Sequence, residues 1–159
     1  MTMRLHSPAF DSGGRIPTKF TGDGDDLSPP LAWSDPPQGV AQYALIMEDP
    51  DAPRPQPWVH WIIHGIPGDV FALPAGVPRE DPLGVPPGAR QGVNSWGRGQ
   101  VGYRGPAPPR GHGRHRYFFR LFALDQPLSL AGGIEKEELL KAMKGHTLAT
   151  AEFMGTYER

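Results

Sequence analysis

The chain has 159 residues, and its 16 Lys and Arg nearly balance 17 Asp and Glu, for a formal net charge of −1. That balance excludes a general nucleic-acid or anionic-membrane surface and leaves room for one local basic patch. Cysteine is absent, which excludes a disulfide frame, a thiolate zinc site and a cysteine nucleophile.

The length suits one domain, 1–159, able to bury roughly 70% of its unfolded surface. Met1 to Pro8 carries no apolar signal segment, and no apolar run approaches the roughly 18 residues of a membrane-spanning helix. The expectation is a soluble, cytoplasmic protein without integral membrane contact. The 21 Gly and 20 Pro cluster between dense apolar runs instead of diluting them. Short strands joined by proline-stiffened loops have that look; disorder does not.

In chain order, Met3–His6 gives a weak strand signal before Ser7-Pro8. Gln42–Glu48 is a stronger strand, bounded by prolines that cannot continue a ladder. Val59–Ile66 is rich in β-branched and aromatic residues, as strands are. Gly68–Arg114 reads almost wholly as loop, with a short strand expected near Gln91–Trp96. A loop this long in a compact domain is usually functional or disordered. Arg116–Leu124 alternates: Tyr117, Phe119, Leu121 and Ala123 share one face, with His115 in phase, and Arg116, Phe118, Arg120 and Phe122 share the other. Glu135–Lys144 opens acidic and closes basic, as a helix dipole favours, with Leu139, Leu140 and Met143 as its apolar stripe and Gly145 as its stop. Thr147–Gly155 is expected to add a second short helix, with Leu148, Ala151 and Phe153 or Met154 inward. The fold class is mainly β with a short C-terminal helical segment.

The chemistry gathers around Asp49-Pro50-Asp51-Ala52-Pro53. Two carboxylates in a stiff turn at a strand end repel unless something positive or hydrogen-bonding faces them. His60, between Trp58 and Trp61, and His115 are the candidates. The same spacing also suits an Asx turn, in which Asp stabilises its own backbone. His60 and His64, four apart, would form a zinc pair on a helix. On a strand they share a face but lie far apart, and His64 reads as structural. Gly111–Tyr117 is glycine-rich and basic, composed to hold an anion or to be a solvated loop. No phosphate-loop, dinucleotide or nucleophile-elbow motif occurs, and no metal or cofactor is expected.

Several ordered motifs resemble those of the phosphatidylethanolamine-binding proteins, also called Raf-kinase-inhibitor-like proteins, in their prokaryotic YbhB/YbcL-type branch. They are Gly14–Thr21 with Leu27–Trp33, Asp49–Pro53 with Trp58–Trp61, Gly102–Pro109 with Gly111–Tyr117, and Gly145–Tyr157. The resemblance implies a large central antiparallel sheet, a smaller second sheet and an anion pocket at one sheet end. Carried over by position, the pocket walls would be Asp49, Asp51, Pro53, Trp58, His60, Ala107, Pro108, Pro109, His115 and Tyr117. The implied function is non-catalytic binding of a phosphorylated or other small anionic ligand, with His60 and His115 donating N–H bonds and Asp49 or Asp51 fixing a tautomer. Regulation of a protein kinase or protease would accompany it. Two other readings stay open: a phosphoesterase-like hydrolase using the Asp/His cleft, and a partner-binding homodimer whose pocket is incidental.

Overall fold

The computed structural model describes residues 2–97 and 99–159. Among the described residues eight strands and one α-helix form, with a single 3-10 turn at Thr18–Phe20: β1 Arg4–His6, β2 Leu31–Ser34, β3 Gln42–Asp49, β4 Trp58–Pro67, β5 Ala72–Leu73, β6 Arg90–Gln91, β7 His115–Leu124, α1 Lys136–Met143 and β8 Thr147–Tyr157. They build two antiparallel sheets, a small one in the order β1-β2-β5 and a larger one in the order β6-β4-β3-β7-β8.

The large sheet is covered on both faces. On one face Leu45, Met47, Trp61, Ile63, Phe119, Leu121 and Phe153 pack in one cluster with Leu5, Leu31, Trp33 and Leu73 of the small sheet. On the other, Ala44, Ile46, Val59 and Ile62 form a second cluster with Ile134, Leu139 and Met143 from the segment leading into α1 and from α1 itself. Continuous burial along β3 follows from this, because a strand covered on both faces has no reason to alternate. Leu140 does not join the stripe. It is exposed, so the apolar contact of α1 with the sheet comes from Leu139 and Met143.

Two expectations are corrected. Thr147–Gly155 is not a helix; it is most of β8, an eleven-residue strand paired along β7. Its inward residues, Ala151, Phe153, Gly155 and Tyr157, recur with a period of two, and Leu148 is exposed. Gly155 lies so close to the N-terminal segment that a Cβ there would meet Ile16 Cγ1 at 2.5 Å. The second correction concerns β4. Met47 faces Trp61 while Glu48 faces Val59, so His60 is the extra residue of a β-bulge. A bulge breaks the period of two and re-aims a side chain. His60 therefore packs its ring edge-on to Tyr117 (5.2 Å), on the face between the sheets. His64 follows Ile62 in alternation, toward the helix side. The two histidines face opposite ways.

Candidate functional site

The ends of β3, β4 and β7 meet at a pocket of about 250 Å³. Nine of the ten residues named from the resemblance line it: Asp49, Pro53, Trp58, His60, Ala107, Pro108, Pro109, His115 and Tyr117. Three further residues, Ala52, Arg54 and Trp96, complete the wall. Asp51 is absent from the lining. It forms a two-pronged ion pair with Arg116 (2.8 and 2.9 Å) and accepts the Arg116 backbone N–H as well. Those bonds hold its carboxyl below the usual carboxylate range. Arg116 sits on the outer face of β7, so its partner is drawn to the rim.

Asp49 is 3% exposed and fully engaged. Its Oδ1 accepts the Asp51 N–H (2.7 Å), and its Oδ2 accepts Nδ1–H of His115 (2.6 Å). One carboxylate thus makes the Asx turn and orients an imidazole. The neutral form of His115 then carries its lone pair on Nε2.

His60 is almost fully buried, and burial is the main cause that lowers its pKa from 6.5 to about 4. It is neutral at pH 7. Its Nδ1 lies 2.6 Å from the Arg104 carbonyl, which only accepts, so Nδ1 carries the proton and Nε2 is an acceptor. The Arg104 carbonyl is itself held in place. Arg104 N–H donates to the His60 carbonyl (3.1 Å), and the following Gly105 N–H donates to Asp26 Oδ1 (2.7 Å). The expectation that His60 and His115 both donate to a ligand is therefore corrected for the neutral rings: each donates to protein.

Donors come from elsewhere. Among the described residues, the Tyr117 hydroxyl and the Trp58 and Trp96 indole N–H groups have no protein hydrogen-bond partner. Burial and the nearby Asp49 charge push the Tyr117 phenol well above its ordinary range, so it stays protonated and donates. Arg54 stacks its guanidinium over Trp58 (4.4 Å) and forms no ion pair among the described residues. Trp58 meets Trp96 edge-on at 5.3 Å, and Trp96 meets His60 at 5.0 Å, which closes an aromatic wall. Trp96 was not legible as a site residue from the sequence. The Val93–Val101 bridge and the bond from Asn94 Nδ2–H to the Gly102 carbonyl fold its loop back to the pocket.

A larger recess, about 600 Å³, lies beyond Trp58 and shares only Arg54 and Trp58 with the pocket. Two of its polar groups are spent on structure. Ser95 Oγ accepts the Val59 N–H, and Lys136 pairs with Glu48. The smaller pocket, with its buried acid–imidazole pair, is the better candidate. Among the described residues no group of three His, Asp or Glu side chains is placed to hold a metal ion, and no helix is long and apolar enough to cross a membrane.

The class defined by the fold and site is a two-sheet antiparallel protein with an acid–imidazole pocket at its strand ends, and comparison with known proteins gives the family. Residues 6–158 match the family model for phosphatidylethanolamine-binding protein, and the chain belongs to that family. It is 48% identical to a protein of Methanothermobacter thermautotrophicus named UPF0098 protein, over 99% of both chains. Among solved structures, Escherichia coli YbcL, described as a member of the mammalian PEBP family, superposes with a TM-score of 0.91 at 31% identity, covering 100% of this chain and 99% of that one. A phosphatidylethanolamine-binding protein homologue from Chlamydia trachomatis gives 0.88 at 42% identity, covering 99% and 98%.

Proposed function

We propose that the pocket binds a phosphorylated or other small anionic ligand, and that binding without turnover is its function. The observation that carries this reading is the set of unengaged donors around one small cavity. Tyr117 O–H, two indole N–H groups and the Arg54 guanidinium surround a wall whose one carboxylate, Asp49, is already satisfied. Family membership supports a binding role. His60 Nε2 adds a preference, because it accepts a hydrogen bond and so favours a ligand oxygen that still carries a proton. Prolines 53, 108 and 109 in the wall keep it preformed and lower the ordering cost of binding. Regulation of a kinase or protease would follow where such a partner presents the anionic group.

The test is an NMR titration with phosphate, O-phosphorylethanolamine and phosphoserine. Shifts centred on Tyr117, Trp58 and Trp96 are expected at millimolar ligand and should weaken in Arg54→Ala. Absence of shifts with all three ligands would refute the reading. Release of inorganic phosphate from phosphoserine during the titration would instead favour a hydrolase.

A further inference from the structure

His112 does not line the pocket, yet its ring meets His115. Asp49 takes Nδ1–H of His115, so the Nε2 lone pair of the neutral ring accepts Nδ1–H of His112 (2.6 Å). Both nitrogens of His115 are thereby occupied by protein. His112 is exposed and rides a short turn between Gly111 (φ 76°) and Gly113 (φ 93°). Glycine adopts that left-handed region without steric cost. No atom lies within 4 Å of a Cβ built on either glycine, so open space borders the turn, whose ties to the rest of the chain are the Gly111 N–H on the Arg159 carbonyl (3.3 Å), the His112 N–H on the Pro109 carbonyl (3.1 Å) and the His112–His115 bond.

We propose that His112 caps His115 in place of a ligand: an oxyanion reaches His115 Nε2 by displacing His112, and it enters together with one proton. This deepens the anion-binding reading and rests on it. When His112 leaves, it keeps its own Nδ1 proton. His115 Nε2 is then a bare lone pair facing an anion, which is repulsive. One proton, from solvent or from a P–OH of the ligand, closes the contact as Nε2–H···O⁻. Only N–H bonds, and the O–H bond of a protonated ligand, form or break. The resulting imidazolium sits between two anions, Asp49 and the ligand. The ligand class is a compact oxyanion such as a phosphate monoester or a carboxylate; a neutral polyol gives the imidazolium no counter-charge.

The surrounding charges fit this exchange. Asp49 faces His115 from β3, and neutral His60 and Tyr117 face the pocket from β4 and β7. Asp51 and Arg116 cancel each other at the rim. Arg110 and Arg114 flank the turn itself and favour an arriving anion.

The test uses sulfate, which does not titrate near neutrality, on full-length wild type and on His112→Ala, with histidine ¹⁵N spectra and calorimetry in two buffers of different ionisation enthalpy. Uptake of one proton per sulfate is expected. Affinity should fall by up to tenfold per pH unit where the free relay is neutral, and the His115 Nε2 resonance should move from acceptor to donor range. His112→Ala should bind about fivefold tighter, the value of one net hydrogen bond. Binding in wild type that leaves the His115 Nε2 signal in place would overturn the exchange while sparing the anion pocket. So would equal or weaker binding by His112→Ala. Binding by His112→Ala alone would support the exchange, with His112 holding the wild-type pocket shut. Silence from both proteins, with phosphate as well as sulfate, would refute the anion reading and the exchange with it.

Discussion

Glu48 and Asp49 are neighbours on β3, nearly equally buried at 6% and 3% exposed, and they point to opposite faces of the same sheet. Glu48 faces the helix side, where Arg120 (2.6 Å) and Lys136 close on its two oxygens. Asp49 faces the intersheet side, where a backbone N–H and an imidazole satisfy it beside an open cavity. Two buried carboxylates of similar solvation thus have different uses. Glu48 is saturated by fixed cations and anchors α1. Asp49 is satisfied by a backbone N–H and by one imidazole, a group able to exchange protons, next to space for a ligand. A buried carboxylate marks a site only where its partners remain able to exchange.

Breaking the structural member should have the largest effect. Glu48→Ala leaves Lys136 without its carboxylate and Arg120 with Glu152 alone, and should cost about 3 kcal/mol by urea unfolding, the low end for breaking a buried pair because Arg120 is partly exposed and keeps that second partner. Phosphate affinity should stay within twofold. A large loss of affinity would show that the two faces are coupled. Acid sharpens the contrast from the pocket side. His60 has a folded pKa of about 4 against 6.5 unfolded, so the unfolded chain binds the proton more readily between those values. Stability should therefore fall as pH drops through that window, by up to roughly 3 kcal/mol at its acid end. His64 is lowered by burial as well and adds in the same direction. His60→Asn should flatten the profile of unfolding free energy against pH; an unchanged slope would assign the acid loss to His64.

Asp49→Ala strips acceptors from His115 and from the Asp51 N–H. It should destabilise by about 2 kcal/mol, the cost of leaving buried donors unpaired, and reduce phosphate binding at least tenfold in the same NMR titration. Tyr117→Phe should be the mildest. It removes one donor, weakens phosphate about fivefold, the value of one hydrogen bond, and leaves the melting temperature nearly unchanged. If Asp49→Ala binds phosphate as wild type does, the two carboxylates are both structural and the contrast fails.

Much of the frame was legible because periodicity carries it. The alternating faces of β7 were readable residue by residue, and His115 could be placed on the Tyr117 face from phase alone. What the pattern hides is register. A single inserted residue at His60 reverses its direction relative to His64, and nothing in the local composition signals the bulge. Asp51 was assigned to the pocket with Asp49, though Arg116, beside His115 but on the other face, was the available sign of a rim partner. β8 was misread because Glu152, Leu148 and Met154 suit a helix in isolation, while its strand state depends on the long pairing with β7. The family motifs located most of the pocket; Trp96 and Arg54 lay outside them and needed the folded loops.

The arrangement of the strands also governs when the pocket can exist. Asp49 and His115 are separated by 66 positions, Asp26 and Gly105 by 79, and β3 lies in the middle of its sheet between β4 and β7. Closure of such distant segments is slow and comes after local structure. During synthesis, β3 and β4 can pair early, but the cavity has no second wall until β7 docks on the opposite edge of β3. Ligand capture would then serve as a report of completed folding, appearing only once chain from both halves is in place.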